Sequence, residues 1–246
     1  MEERRYCKIK YNDVVLDDKL KNYMTINVEG RGLTSPTLKL IDIEGSNGDY
    51  IESEKYPSKD IKVYFIFYTK NNKERLELEE DLNLILQTDQ EVKFSFDDEK
   101  GYRTGRLSRT ESIKYDYFTG VGSFTIHCSN PFRYLDEVTQ KGENIKIDYK
   151  EKHFKIDWTA FEFENTGEEF EIKNITSREK IKVSNIEKLT GKVIVSKNKI
   201  TINGGNVSEK LDYTVSTWKK FKVSNGDSIE FIGTKNPSIK YRGVML

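Results

Sequence analysis

Apolar residues alternate with other residues in short runs along most of the chain, a period of two that is typical of β-strands. The clearest run is residues 61–68, in which Ile61, Val63, Phe65 and Phe67 alternate with Lys, Tyr and Ile. Both faces of this run are largely apolar, so the sequence predicts a strand that is covered on both sides. Shorter runs at 92–96 and 123–128 predict further strands.

One segment, residues 71–86, has a helical pattern instead. Its apolar residues Leu78, Leu82, Ile85 and Leu86 fall on one stripe at helical spacing. Asn71 is a favourable N-cap, and the acids that follow it, beginning with Glu74, suit the positive end of the helix dipole. The sequence therefore predicts a single helix that ends near residue 86.

The pattern changes at residues 135–142, which are polar and rich in turn formers. We predict an N-terminal domain over residues 1–134, a linker over 135–142 and a second domain over 143–246. Beyond the linker, turn signals recur about every 8–12 residues with no helical pattern between them, which indicates a β-sandwich. The fold class is therefore mainly β: a β-sandwich-like first domain with one helix and projecting hairpins, then a second β-sandwich.

Residues 36–57 predict a β-hairpin whose loop is the Gly45-Ser-Asn-Gly48 turn. The hairpin has too little apolar surface to be stable by itself. We expect it either to pack on its own domain or to project from it toward another body.

Composition narrows the function classes. The 246 residues include 41 basic and 41 acidic ones, so the formal net charge is zero and nothing indicates bulk attraction to nucleic acid or to membranes. The first residues are charged, and no apolar run approaches the ~20 residues of a membrane span, so we expect neither a signal peptide nor membrane insertion. The two cysteines, Cys7 and Cys128, could face one another on neighbouring strands, but for a chain made in the cytosol we expect both to be reduced and buried. No C-x-x-C redox or zinc motif is present.

Candidate chemistry is sparse. The two histidines, His127 and His153, are in different predicted domains, and neither a nucleophile elbow nor a phosphate-binding glycine loop is present. The acids Asp97 and Asp98 sit at a turn, but their spacing does not fit an EF-hand. The sequence therefore predicts no enzyme: no catalytic residue, no metal site and no cofactor. Trp218 is considered as an exposed platform on which a sugar could stack, with half-buried packing as the competing interpretation.

The order of elements, read with its turn residues, resembles the distal tail protein (Dit) family of siphovirus tails. The matching features are the glycine loop at 45–48, the strand at 61–68, the single helix that follows, and two later segments. These segments are Gly101-Tyr-Arg-Thr-Gly-Arg-Leu107 and the closing Ser123-Phe-Thr-Ile-His-Cys-Ser-Asn-Pro-Phe132. The resemblance covers the first half of the chain well and the second half loosely, through residues 163–167 and 226–233.

The resemblance implies a structural hub at the tip of a phage or phage-derived tail, made and assembled in the host cytoplasm. It implies a homohexameric ring of N-terminal domains surrounded by galectin-like C-terminal sandwiches, with the last strand in some members packed back on the first domain. The implied partners are the major tail tube protein and a tail-associated fibre or lysin protein, with receptor-binding proteins as a further candidate.

The resemblance also implies that the hairpin reaches the neighbouring subunit, so we predict interface residues there and on the second face of the strand at 61–68. They are Ile41, Ile43, Tyr50, Tyr64, Ile66 and Tyr68. The competing interpretation of the last three is that the helix covers them. The alternative function is a carbohydrate-binding module that recognises the host surface through Trp218, and a wall hydrolase is a distant third.

Overall fold

The computed structural model describes residues 7–184 and 189–246. Residues 1–6, which the sequence assigns to the first domain, lie outside the described part. The prediction of a mainly β chain with one long helix is confirmed, and the chain divides into two compact units. The first unit comprises Met1–Arg133 together with Leu246, and the second comprises Tyr134–Met245.

The first unit contains two helices, the one-turn α1 (Leu16–Lys19) and the long α2 (Asn72–Leu86). Its strands are β1 (Ile9–Tyr11), β2 (Val14–Val15), β3 (Tyr23–Glu29), β4 (Thr37–Asp42), β5 (Asp49–Lys55), β6 (Lys59–Tyr68), β7 (Val92–Phe96), β8 (Arg103–Thr110), β9 (Lys114–Asp116) and β10 (Thr119–Cys128). Eight of these strands form one sheet in the order β2-β1-β7-β8-β10-β6-β3, with β9 added on β10. Strands β4 and β5 pair only with each other among the described residues.

The core of the first unit lies between one face of the sheet and α2. Leu78, Leu82 and Leu86 of the helix belong to the same buried cluster as Phe65 and Phe67 of β6. The helix begins as predicted, because the Asn71 side chain accepts a hydrogen bond from the Glu74 amide at 3.0 Å.

Two glycines of β10 make room for the aromatic core. Gly120 and Gly122 stand opposite Phe67 and Phe65 in the register of β10 with β6. A Cβ atom at either glycine would come within 2.4–2.7 Å of the facing ring. These two positions therefore require glycine for space, although glycine weakens a strand.

The second unit contains β11 (Arg133–Lys141), β12 (Asn144–Lys146), β13 (Lys155–Thr166), β14 (Phe170–Asn174), β15 (Lys180–Val183), β16 (Thr190–Ser196), β17 (Ile200–Ile202), β18 (Gly205–Asn206), β19 (Ser228–Ile232) and β20 (Lys235–Met245). Two sheets, in the orders β11-β20-β13-β16-β17-β18 and β12-β19-β14-β15, contribute to one buried apolar cluster. This is a sandwich of two sheets. In its β16–β17 hairpin, Val193 and Val195 face Ile202 and Ile200.

One boundary prediction is corrected. The predicted linker at 135–142 is wrong, because β11 covers most of it and forms the edge of the six-stranded sheet, with Leu135 in the core. The last strand, β20, pairs with β13 and β11 within the second unit. No helix of the described residues is long and apolar enough to cross a membrane.

Candidate assembly surfaces

The β4–β5 hairpin is exposed on both faces. Every residue of its two strands is solvent-exposed, so the interpretation that it packs on its own domain is wrong. The pair Leu40–Ile51 occupies one face and the pair Ile41–Tyr50 the other, because paired residues of neighbouring strands share a face. Ile43 follows at the end of β4 and is exposed as well. An arm that is apolar on both faces is suited to insertion between two surfaces.

The second face of β6 is not covered by the helix. Tyr64 and Ile66 are partly buried and Tyr68 is 50% exposed, whereas α2 packs against the opposite face. The interpretation that the helix covers these three residues is therefore wrong.

Neighbouring strands extend this surface. Ile66 pairs with Met24 of β3 and with Val121 of β10, which are 38% and 39% exposed. We call Met24, Ile66, Tyr68 and Val121 the open-face patch. Scattered exposed apolar residues are ordinary on protein surfaces, but adjacent ones on one sheet face mark a candidate contact surface.

The Tyr64 end of the same face is polar. The Tyr64 hydroxyl donates to a Glu29 carboxylate oxygen at 2.9 Å, and the Lys62 ammonium lies 4.9 Å from the centre of the Tyr64 ring. Lys62 also pairs with Glu111 at 2.6 Å. Hydrogen bonds from Lys62 and Ser123 lower the pKa of Glu111, so this carboxylate is held ionised.

Sequence reasoning missed Met24 and Val121. Val121 lies between Gly120 and Gly122, which hide the start of β10, so the predicted strand begins only at residue 123. The available signal was the spacing of two between Val121, Ser123 and Thr125, which places them on one strand face. It extends the predicted strand back to residue 121 if Gly120 and Gly122 are taken as space for the facing rings.

Trp218 is not an exposed platform, and this prediction is corrected. It lies in a short 3-10 turn (Trp218–Lys220), is 7% exposed and belongs to the core of the second unit. Its indole nitrogen donates to the Ser196 carbonyl at 2.9 Å. The packing interpretation accounts for this residue, because both its ring and its polar atom are used internally.

The carboxylates of the acidic turn after β7 form ion pairs with arginine side chains of the same chain. Arg31 donates to both carboxylate oxygens of Asp98 at 2.6 and 2.9 Å, while Glu99 pairs with Arg103 and Arg133. Among residues 7–184 and 189–246, no three His, Cys, Asp or Glu side chains are grouped closely enough to hold a metal ion. His127 contacts Asp60 in the first unit, and His153 contacts the Glu151 carbonyl in the second.

Residues 18–128, somewhat less than half of the chain, match the family model of the phage tail protein RIFT-related domain. No curated protein matches the sequence. Among solved structures, the distal tail protein (Dit) of phage SPP1 is similar over 98% of this chain and 100% of its own, with 19% identity and a TM-score of 0.78. The SPP1 protein is described as a paradigm of the hub adsorption apparatus in phages that infect Gram-positive bacteria.

Two chains from the phage p2 baseplate in its activated conformation, one with Sr and one with Ca, are also similar. Their TM-scores are both 0.56, with identities of 10% and 9%. The match covers 96% of this chain and 97% of the baseplate chain in the first case, and 98% of each in the second. These findings confirm the resemblance predicted from the sequence: residues 18–128 match the phage tail protein RIFT-related domain, and the chain has the fold of a siphovirus distal tail protein.

Proposed function

We propose that this protein is the structural hub of a phage or phage-derived tail tip. In this proposal it forms a homohexameric ring that joins the tail tube to the tail-associated fibre or lysin protein and the receptor-binding apparatus. The observation that carries it is the similarity to the SPP1 hub protein over the full length of both chains. The tail-tip location and assembly in the host cytoplasm belong to the same proposal.

The exposed arm and the open-face patch support ring formation. A contact between two different surfaces repeats from subunit to subunit and closes into a ring when the rotation per subunit divides the circle. The β4–β5 arm offers apolar pairs on both faces and open strand edges, and a strand edge can add main-chain hydrogen bonds to a sheet. The open-face patch lies elsewhere on the same unit. We infer that these are the two sides of the joint, with Ile41, Ile43 and Tyr50 on the arm.

The predicted partners follow from the hub role. Once the ring has formed, its two open sides would contact the tail tube protein and the fibre or lysin protein. Burial of Trp218 removes the residue on which the carbohydrate-binding alternative rested.

Light scattering coupled to size exclusion tests the ring. A ring of six 28.8 kDa chains has a mass of about 173 kDa. We expect the double substitution Ile41→Ser/Tyr50→Ser to lower that mass to one of fewer subunits without changing the circular dichroism spectrum, because both residues are exposed in the single chain. The matched control is Tyr213→Ser/Val215→Ser, a pair of exposed apolar residues in the second unit.

A wild-type protein that stays monomeric at the highest attainable concentration would overturn the proposal. Equal dissociation by the control pair would remove the arm from the joint.

A further inference from the structure

The β4–β5 arm joins the large sheet through two short segments that contain neither helix nor strand. Residues 30–36 connect β3 to β4, and residues 56–58 connect β5 to β6. We call these two segments the arm root. No residue of the two arm strands is buried, so the direction of the arm relative to the sheet depends on the contacts of the root.

Each connection of the root contains a proline. Pro36 directly precedes β4, and Pro57 stands between β5 and β6. A proline lacks the amide hydrogen, fixes its own φ at about −65° and restricts the residue before it. The ladder of β3 with β6 does not continue into the ladder of β4 with β5, and the two connections have few backbone conformations.

Arg31 attaches the first connection to the sheet. Its guanidinium donates to both carboxylate oxygens of Asp98 at 2.6 and 2.9 Å and lies 4.7 Å from the centre of the Phe96 ring. The preceding Gly30 has a φ of +86°, and a Cβ atom there would come within 2.1 Å of the Asp60 carbonyl oxygen. The chain therefore passes directly against β6 before it enters the arm.

Lys59, the first residue of β6, joins the two connections to each other. Its ammonium group donates to the Gly32 carbonyl at 3.0 Å and to the Thr34 hydroxyl at 2.8 Å. Burial lowers the pKa of Lys59, so this ammonium group has exchanged part of its water for these two acceptors. Beside it, the Tyr56 ring lies 5.9 Å from the Phe132 ring, measured between ring centres.

These contacts lie where they can direct the arm, although they contribute little to the stability of the fold. The Arg31 and Asp98 side chains are 23% and 45% exposed, and partly exposed ion pairs stabilise a protein only slightly. A positioning role accounts for them better, because a segment that is held in place before its partner arrives loses less entropy on binding.

We propose that Arg31 and Lys59 are positioning residues that set the angle of the arm and thereby the closure of the ring. This inference rests on the proposed ring. A head-to-tail contact closes only when the rotation per subunit divides the circle, and otherwise it continues as an open chain. Ile41 and Tyr50 on the arm make the contact in that proposal, so the angle of the arm fixes the rotation from one subunit to the next.

Distance measurement between two nitroxide spin labels tests whether the root holds the arm. One label replaces Ser46 in the arm turn and the other replaces Leu84 of α2, and both positions are exposed. The labels are attached through a ketone-bearing unnatural amino acid, which leaves both native cysteines intact. The full chain also carries Ile41→Ser/Tyr50→Ser, so that the arm stays undocked.

We expect a single narrow distance distribution when the root is native. Arg31→Gln/Lys59→Met should broaden it at least about twofold, because the arm then turns on connections that have no ladder bonds. The control Lys19→Met/Arg106→Gln removes the same charges at exposed positions of the same unit and should leave the distribution unchanged.

A second root variant, Pro36→Ala/Pro57→Ala, keeps every side-chain contact of Arg31 and Lys59 and should also broaden the distribution, because both connections gain backbone freedom. Urea unfolding shows whether each variant is folded. If the Arg31 and Lys59 variant failed to fold, the proline variant would decide the question.

Mass photometry of the unlabelled chain with its native arm measures closure. Wild type and the Lys19/Arg106 control should each give one ring mass. Arg31→Gln/Lys59→Met should give a series of masses, because the contact residues are intact and association continues without closing.

A root variant with the wild-type distance distribution would overturn the inference. A broadened distribution together with an unchanged ring, or dissociation of the root variant to single subunits, would also overturn it, because neither is a failure of closure. A wild-type chain that never forms a ring would instead contradict the proposed function, and the distance distribution would still show whether the root holds the arm.

Discussion

At the scale of single residues, the Glu99 carboxylate forms ion pairs with two arginines, Arg103 at the beginning of β8 and Arg133 at the beginning of β11. Arg103 is 1% exposed and donates to both oxygens of Glu99, and Arg133 lies 3.2 Å from the same carboxylate. We expect Glu99→Gln to destabilise the first unit by about 3–5 kcal/mol, because a buried guanidinium then loses its counter-charge. Urea unfolding of the purified variant measures the loss.

The neighbouring pair Asp98–Arg31 provides the matched control. Its side chains are 45% and 23% exposed, so Asp98→Asn should cost no more than about 1 kcal/mol. The hydrogen bond from Arg31 lowers the pKa of Asp98. The stability that this pair contributes is therefore present above the unfolded-state pKa and is lost as the pH falls through the folded-state pKa. A Glu99 variant as stable as the Asp98 variant would contradict the buried-pair argument.

These pairs also show what sequence reasoning misses at this scale. The sequence places Asp97 and Asp98 at a turn, directly before Glu99. Their partners Arg31 and Arg133 lie far away along the chain, so no local pattern connects them.

At the scale of elements, the beginning of α2 was predictable because capping depends only on neighbouring residues. The Asn71 side chain accepts from the Glu74 amide, and the Glu74 carboxylate accepts from the Lys70 amide at 2.8 Å. We expect Asn71→Ala to cost about 1 kcal/mol, measured as a lower urea midpoint of the helical circular dichroism signal. Asn83→Ala, an exposed asparagine inside the same helix, should be neutral or slightly stabilising because alanine favours a helix interior. Equal losses in the two variants would show that the cap is not the cause.

Strands, too, were predictable where the pattern of neighbouring residues was sufficient and not where distant contacts decided. Alternation located β6 correctly. Alternation missed the start of β10, where glycines make room for phenylalanine rings. It also missed β11, because the polar residues of this sheet-edge strand have the composition of a linker. An edge strand with an exposed face needs few apolar residues, so its composition does not distinguish it from a loop.

At the scale of the whole molecule, each unit has its own buried cluster, and every strand named in a unit pairs within that unit. We therefore expect a fragment of residues 1–133, which keeps the Arg133–Glu99 pair, to form the ring without the second unit. A fragment of residues 134–246 should fold as a monomer. Light scattering and thermal unfolding of both fragments measure this.

A second division, at the predicted linker, is the control. A fragment of residues 143–246 lacks β11, and with it the buried Leu135 and the contact from the Tyr241 hydroxyl to Gln140 at 2.8 Å. Loss of a buried leucine alone costs about 2–5 kcal/mol, so this fragment should unfold at a clearly lower temperature than residues 134–246. Equal stability of the two fragments would mean that β11 is dispensable. If residues 1–133 stayed monomeric while the whole chain formed rings, the joint would have to include the second unit, and the arm and open-face patch could not be its only two sides.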